Sequence, residues 1–309
     1  MLFYFSATGN SRALATTIAQ HLNDKAVDIV PLLHADESPS LTLGPTEKLG
    51  FVFPIYGWSL PDIVRTFLES LRIEGYNRQY VYFAVTCGDD VGVADRPIRK
   101  TFEQAGLHLD AGYSVTMPDS YVCLPGFDVD KPEERDRKLA QFRPRVREIA
   151  EQVERRAVVM DIHRGRFPWL KTNVLGWFFR KYLITDKPFR TTSDCISCGL
   201  CAKVCPMHNI ELAPACGESS RSSRGSRVQE IMFNAQSSTP QGSRELAFAV
   251  GEAGANLAGK FESAAAIFTV TWLGHCTGCL ACYHHCPTRA IRFGRRTEKK
   301  GQYLYKNRL

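Results

Sequence analysis

No apolar run in this chain of 309 residues reaches the ~20 needed to cross a bilayer. No charged-then-apolar leader opens it either, since Met1-Leu2-Phe3-Tyr4-Phe5 runs straight into a turn. Also missing are the Gly-Lys-Ser/Thr of a Walker loop and the GxGxxG of a dinucleotide fold. We find no nucleophile triad, no catalytic acid–base pair and no nicotinamide motif. The net charge of +7 comes without a nucleic-acid-binding motif. It is also divided, with acid in excess over residues 1–120 and base in excess over 121–309. These gaps predict a globular cytoplasmic protein, long enough for two domains, with no nucleic-acid partner and no membrane association. The basic half suits a docking surface for an acidic redox partner, or simply a solvated face.

What the chain does have is cysteine, 11 in all, eight of them in two runs of identical spacing. The first is Cys195-Ile-Ser-Cys198-Gly-Leu-Cys201-Ala-Lys-Val-Cys205-Pro206 and the second Cys276-Thr-Gly-Cys279-Leu-Ala-Cys282-Tyr-His-His-Cys286-Pro287. Zinc ligands usually come as two separated CxxC pairs, and disulfides need no such pattern. Three thiols two residues apart can wrap one face of an iron–sulfur cube, while the fourth points away towards a second cube. The expected ligand sets are therefore Cys195, Cys198, Cys201 and Cys286 for one 4Fe-4S centre, and Cys276, Cys279, Cys282 and Cys205 for the other. Ile210-Glu211-Leu212 follows the first run at the offset where Ile291-Arg292-Phe293 follows the second, which predicts two short strands related by pseudo-symmetry. Residues 194–212 and 273–294 resemble the bacterial two-cluster ferredoxins. Clusters need reduced thiolates, so a reducing compartment, in an anaerobe, is the expected setting. Cys216 is spare, and His284 and His285 are not needed as ligands.

The first half alternates strand and helix. A short apolar run at 2–5 leads through Ser6-Ala7-Thr8-Gly9-Asn10-Ser11 into a helix marked by Leu14, Ala15, Ile18 and Leu22. Such a loop presents backbone N–H groups and hydroxyls at a helix N-terminus, which makes an anion cradle; the plain alternative is an N-cap. The order Ser-x-Thr-Gly-Asn-Ser resembles the phosphate loop of flavodoxins, which implies FMN held by Ser6, Thr8, Gly9, Asn10 and Ser11. Further strands are expected at Val27, Ile29 and Val30, at 50–53, at 80–85 and at 113–117. Tyr56, Gly57 and Trp58 lie on the loop after the third strand, where the resemblance implies two flavin-stacking aromatics and a peptide free to turn towards flavin N5. Cys87, Gly88 and Asp89 lie on the next loop, expected to edge the ring. Asp89 or Asp90 there would disfavour an anionic reduced flavin, or else cap the helix carrying Ile98 and Phe102. Cys87 reads as an ordinary small residue. The loop 118–123 can overhang the flavin or touch the cluster region. An amphipathic helix over 131–157, kinked or restarted at Pro144, closes this half.

The expected fold is thus α/β, a flavodoxin-like doubly wound parallel sheet over 1–157, then a connector over 158–193. A ferredoxin-like α+β domain with two clusters follows over 194–309, carrying an insertion at about 213–267. The connector aromatics Phe167, Trp169, Trp177, Phe178, Phe179 and Tyr182 suit either an interfacial membrane helix or, the preferred reading, a seat between the two halves. Residues 217–227 read as disordered and the insertion as a tolerated surface loop, with Phe268 to Trp272 resuming the strand. The implied function is low-potential electron transfer between FMN, two 4Fe-4S clusters and a redox partner protein. Two alternatives stay open: an FMN-dependent NAD(P)H or quinone oxidoreductase using the clusters as a relay, and a cluster-dependent redox sensor.

Overall fold

Strict alternation along short apolar runs builds the central sheet. The strands of the first half are β1 (Leu2–Tyr4), β2 (Ala26–Asp28), β3 (Ser40–Thr42), β4 (Leu49–Pro54), β5 (Arg72–Glu74), β6 (Val81–Cys87), β7 (Ala111–Thr116) and β8 (Met160–Asp161). Leu49, Phe51 and Phe53 of β4 share one face with Phe3, Val81, Phe83 and Val85, while Leu2, Val52, Tyr82 and Ala84 share the other. Both faces are covered, as an all-parallel sheet requires. Helices α3 (Asp62–Ser70) and α4 (Asp95–Gln104) bury Ile63, Phe67, Ile98 and Phe102 on the first face. Helices α1 (Asn10–His21) and α5 (Pro132–Glu154) bury Leu14, Ile18, Val146 and Ile149 on the second. The strand order is β2-β1-β4-β6-β7-β8, parallel throughout. Since β1 has β2 on one side and β4 on the other, the winding reverses there, and a crevice opens beyond the strand C-termini.

The computed structural model describes residues 1–214 and 268–306. The Ser/Arg/Gly-rich and Ala/Gly-rich stretches of the insertion, with Cys216, lie outside the described residues.

Three expectations about this half are corrected. Val27, Ile29 and Val30 do not share a strand: β2 ends at Asp28, whose carboxylate accepts the Val30 N–H at 3.0 Å and caps the short helix α2 (Ile29–Leu33). A brief apolar run suits either state, and here the cap decides. The long helix is not restarted at Pro144, since α5 runs unbroken across it. Finally the sheet gains a sixth strand at β8, tied by Arg145 to Asp161 and Ser114.

The cysteine-rich half is built by exchange. Its strands β9 (Phe189–Thr191) and β10 (Ile210–Pro214) flank the first cysteine run, and β11 (Phe268–Trp272) and β12 (Ile291–Phe293) the second. Each run's leading strand pairs with the other run's trailing strand, β9 with β12 and β11 with β10. The two-strand repeat expected at 210–212 and 291–293 is present, with β9 an addition. Phe189, Trp272 and Phe293 pack together.

The connector folds as a helical run over residues 168–182, α6, with a π-helical stretch at Lys171–Leu175. Short helices α7 (Leu200–Lys203) and α8 (Ala281–His285) carry the middle of each cysteine run. Residues 1–212 and 270–306 form one compact unit, so the sheet and the cysteine-rich half pack as a single body.

Candidate functional site

The eight cysteines fall into two sets of four, each drawing one member from the other's run. Cys195, Cys198, Cys201 and Cys286 line one small hollow walled by Ile196, Leu200, Leu212, Val270 and Ile291. Burial pushes the Cys201 thiol up to about 11, and Cys198, Cys195 and Cys286 add to the shift through space. In the other set burial raises Cys276 to about 11, with Cys205 among the neighbours that push it further. Burial lifts Cys279 and Cys282 higher still, and both feel Cys276 and Cys205. Buried thiols crowded in this way are stable as thiolates only against a multivalent cation.

Backbone donors repeat between the halves. Asn209 N–H donates to Cys205 Sγ at 3.3 Å and Ala290 N–H to Cys286 Sγ at 3.2 Å, each four residues beyond the exchanged cysteine. Gly278 N–H donates to Cys276 Sγ at 3.3 Å. Such N–H to sulfur bonds favour the more negative state of a thiolate site. Thr277 Oγ1 and Trp272 Nε1 are buried with no hydrogen-bond partner among the described residues, although the indole lies near enough to Cys282 to favour its thiolate. Among the described residues no three His, Cys, Asp or Glu side chains converge on a single-ion site. Four thiols spread around a hollow suit a cage of several irons.

The second site is a cavity of about 720 Å³ at the C-terminal edge of the parallel sheet. Ser6, Thr8, Asn10 and Ser11 line it from the loop after β1, Tyr56, Gly57 and Trp58 from the loop after β4, and Cys87, Gly88 and Asp89 from the end of β6. Gly9 stands behind the wall, and a Cβ there would come within 2.9 Å of Tyr305. It also precedes α1 in a left-handed conformation, so the plain side-chain N-cap is absent. The Ser11 hydroxyl is spent on Thr86 Oγ1 at 2.8 Å, and the Asn10 amide donates to Pro118 O at 3.0 Å. These two hold the cradle together.

Tyr56 and Ser59 exchange both backbone hydrogen bonds, and the residues between them, Gly57 and Trp58, have φ of +53° and +54°. This is the tight turn that lifts both aromatics over the cavity. Left-handed backbone at a tryptophan costs about 1–2 kcal/mol. Against this, Trp58 Nε1 donates to Asp90 Oδ1 at 3.0 Å. Asp90 is buried, also accepts the Gly92 N–H, and is paired with Lys171 of α6. It caps no helix, and Lys171 screens its charge; α4 begins at Asp95 without a side-chain cap. The capping reading is thus corrected, while Asp89, which is exposed, and Asp90 both reach the cavity wall. Burial pushes Cys87 up to about 12, the state of a neutral packing thiol.

Several lining residues had no sequence signal for this cavity. Lys171 and Leu175 of α6 roof it beside the connector aromatics Phe178 and Phe179, and Arg180 donates to Gly57 O. Lys138 on α5 donates to Gly88 O at 2.7 Å and to Asp130 at 2.7 Å, which holds the third loop. Most distant in sequence is the tail, where Tyr305 N–H donates to Thr8 O and Tyr303 Oη to Asn10 Oδ1, both at 2.8 Å. The aromatic alternation Tyr303-Leu304-Tyr305 after the second cysteine run is the one clue to it. Tyr121 Oη, buried in the wall without a partner among the described residues, is a polar atom suited to a ligand. The loop at 118–123 does both things weighed for it: it lines the cavity, and its Ser120 carbonyl accepts from His284 Nε2 at 2.7 Å while Val122 O accepts from Lys300.

The two sites share a wall. Gly278, Cys279 and Leu280 line the cavity. Burial raises the Tyr56 phenol well above its usual value, with Cys279 and then Cys276 adding to it, so its hydroxyl lies towards the second thiol set.

A flavodoxin domain model matches residues 1–115, and a 4Fe-4S binding domain model matches residues 189–211 and 270–292. The chain therefore joins a flavodoxin domain to two ferredoxin-type 4Fe-4S motifs. The first implies FMN and the second two 4Fe-4S clusters, and the cavity and the two thiol sets fit those groups. No curated protein matches. Among solved structures, a putative flavoprotein from Bacteroides uniformis is similar at 18% identity, with 38% of this chain and 88% of that one covered and a TM-score of 0.30. The Trp repressor binding protein from Bacillus subtilis is 12% identical over 49% of this chain and 96% of its own, with a TM-score of 0.28. Rubredoxin oxygen:oxidoreductase from Desulfovibrio gigas is 10% identical over 49% of this chain and 36% of its own, with a TM-score of 0.25.

Proposed function

We propose that this union of a flavodoxin domain with two 4Fe-4S motifs is an electron-transfer protein that exchanges low-potential electrons between FMN, the clusters and a redox partner protein. The shared wall at Gly278, Cys279 and Leu280 carries the reading, because it sets one thiol set directly against the flavin cavity. FMN supplies one- and two-electron exchange, and each 4Fe-4S cluster one-electron exchange. The residues do the rest. Ser6, Thr8 and the backbone of the first loop hold the phosphate, Tyr56 and Trp58 flank the ring, and Lys138 fixes the loop along its edge. Cys276, Cys279, Cys282 and Cys205 hold the cluster next to the flavin, and Cys195, Cys198, Cys201 and Cys286 hold the one beyond.

Anaerobic protein reconstituted with iron, sulfide and FMN tests this. After light-driven reduction of the flavin, its absorbance and that of the clusters should change together in a concentration-independent phase. Flavin and clusters that equilibrate only at a rate rising with protein concentration would defeat the reading. An FMN-dependent reductase of small aromatic acceptors is the second reading, supported by Phe127, Phe178, Phe189 and Phe293 in the cavity wall. Steady turnover with a soluble quinone and no protein partner would favour it.

A further inference from the structure

Helix α6 is built inside out for a helix on a water-soluble core. The residues it turns inward are small. Thr172 and Gly176 are buried, Thr172 Oγ1 accepts the Val93 N–H at 2.9 Å, and a Cβ on Gly176 would come within 2.6 Å of Gly57 O. Its large residues therefore point out. Phe167, Trp169, Leu170, Val174, Leu175, Trp177, Phe178 and Tyr182 are each between 45% and 60% exposed, a crowd of apolar side chains in one short stretch. Buried large side chains and exposed small ones are the ordinary arrangement, so the outward face asks for a cover.

Its charge says which cover. From Ile162 to Thr185 there is no Asp or Glu. Arg166 lies over the Phe167 ring, and Lys181 over the rings of Trp177 and Tyr182. Trp, Tyr and Phe interleaved with cations is the composition of a bilayer–water interface, where rings enter the headgroup region and cations meet anionic lipid. A face that is aromatic and free of acid offers little to the basic residues of a protein partner, and charge complementarity favours an anionic surface. Among the described residues no helix is long and apolar enough to cross a membrane, and none needs to be, because this one lies along the surface. We propose that the outer face of residues 167–182 docks the protein on an anionic lipid bilayer. Leu175 and Phe178 belong both to this face and to the flavin cavity, so docking brings the cavity to the lipid surface.

The test uses the full chain reconstituted with FMN and clusters, mixed anaerobically with vesicles of phosphatidylglycerol and phosphatidylcholine or of phosphatidylcholine alone. The protein should sediment with the anionic vesicles, its tryptophan emission should shift to the blue, and added salt should weaken both effects. Trp169→Ser with Trp177→Ser should weaken binding by at least about tenfold, and Lys181→Glu by at least about fivefold. Trp169 and Trp177 lie outside the cavity wall, so unchanged flavin and iron content in these variants separates this outcome from any failure of the electron-transfer reading. Wild-type protein that stays in the supernatant, or variants that bind as well as wild type, would overturn the proposal. So would concentration-dependent dimerisation abolished by the same substitutions without vesicle binding, which would assign the face to a second copy of the chain.

Discussion

Tyr56 is the side chain on which the two sites meet, and its surroundings show what a sequence pattern can and cannot convey. An aromatic on a loop at a sheet edge reads as a ring-stacking residue, but Cys276 and Cys279 behind its hydroxyl lie more than two hundred positions away. Tyr56→Leu should weaken FMN binding by about 1 kcal/mol, or about fivefold, through the lost stacking contact, as measured by fluorescence titration of FMN into the flavin-free protein. It should also slow equilibration between flavin and clusters in the flash experiment. Trp58→Phe acts elsewhere. It removes the donor to buried Asp90 and should cost about 1–3 kcal/mol in chemical denaturation. Neither Asp90 nor Lys171 advertised that bond, because burial and pairing are properties of the folded chain.

The elements show the same division. Exchange of β9 with β12 and of β11 with β10 places each fourth cysteine in the other run's set, so removing Cys286 should abolish the centre formed with Cys195, Cys198 and Cys201. Cys286→Ser should keep about half the iron of the wild-type chain. Its remaining reduced-state EPR should then lack the broadening that two neighbouring clusters give. Strand β8 is braced by an ion pair: the hydrogen bond from Arg145 holds the Asp161 carboxyl below its usual range. A depressed folded value means that the stability from this pair is present above the unfolded carboxylate pKa of about 4 and is lost as pH falls below it. The difference in melting temperature between wild type and Asp161→Asn should be largest near neutrality and should close in that acid window. The paired strands of the cysteine runs were legible because their spacing repeats. Helix α2 was misread because a few apolar residues carry no period of their own, and the Asp28 cap settled the matter locally.

For the whole molecule, the tail couples the halves. Gln302 donates to the carbonyls of Tyr283 and Cys286, Tyr303 N–H donates to His284 Nδ1, and Tyr303 and Tyr305 end on the phosphate loop. A cluster set and the flavin cradle thus share one strip of chain. Oxidative loss of the clusters should therefore loosen FMN, raising its Kd by at least about tenfold, since a brace of several hydrogen bonds worth about 1 kcal/mol each is released. Tyr303→Phe should reproduce a smaller part of that change, about fivefold, with the clusters intact. Equal FMN affinity with and without clusters would show that the tail binds the loop without supporting it.

Local chemistry in the sequence determined what this protein holds: the Cys spacing and its repeat, the Ser-Ala-Thr-Gly-Asn-Ser loop after an apolar strand, and the two aromatics about Gly57 all follow from short-range geometry. Only the tertiary structure decided how those parts stand to one another. The connector helix roofs the cavity, because its inward residues are small enough to let it lie against the Gly57 and Gly92 turns. The tail and the Cys279 segment reach the flavin cavity through contacts across the length of the chain. Neighbours that meet only when the chain closes leave no periodic mark for a local reading to find.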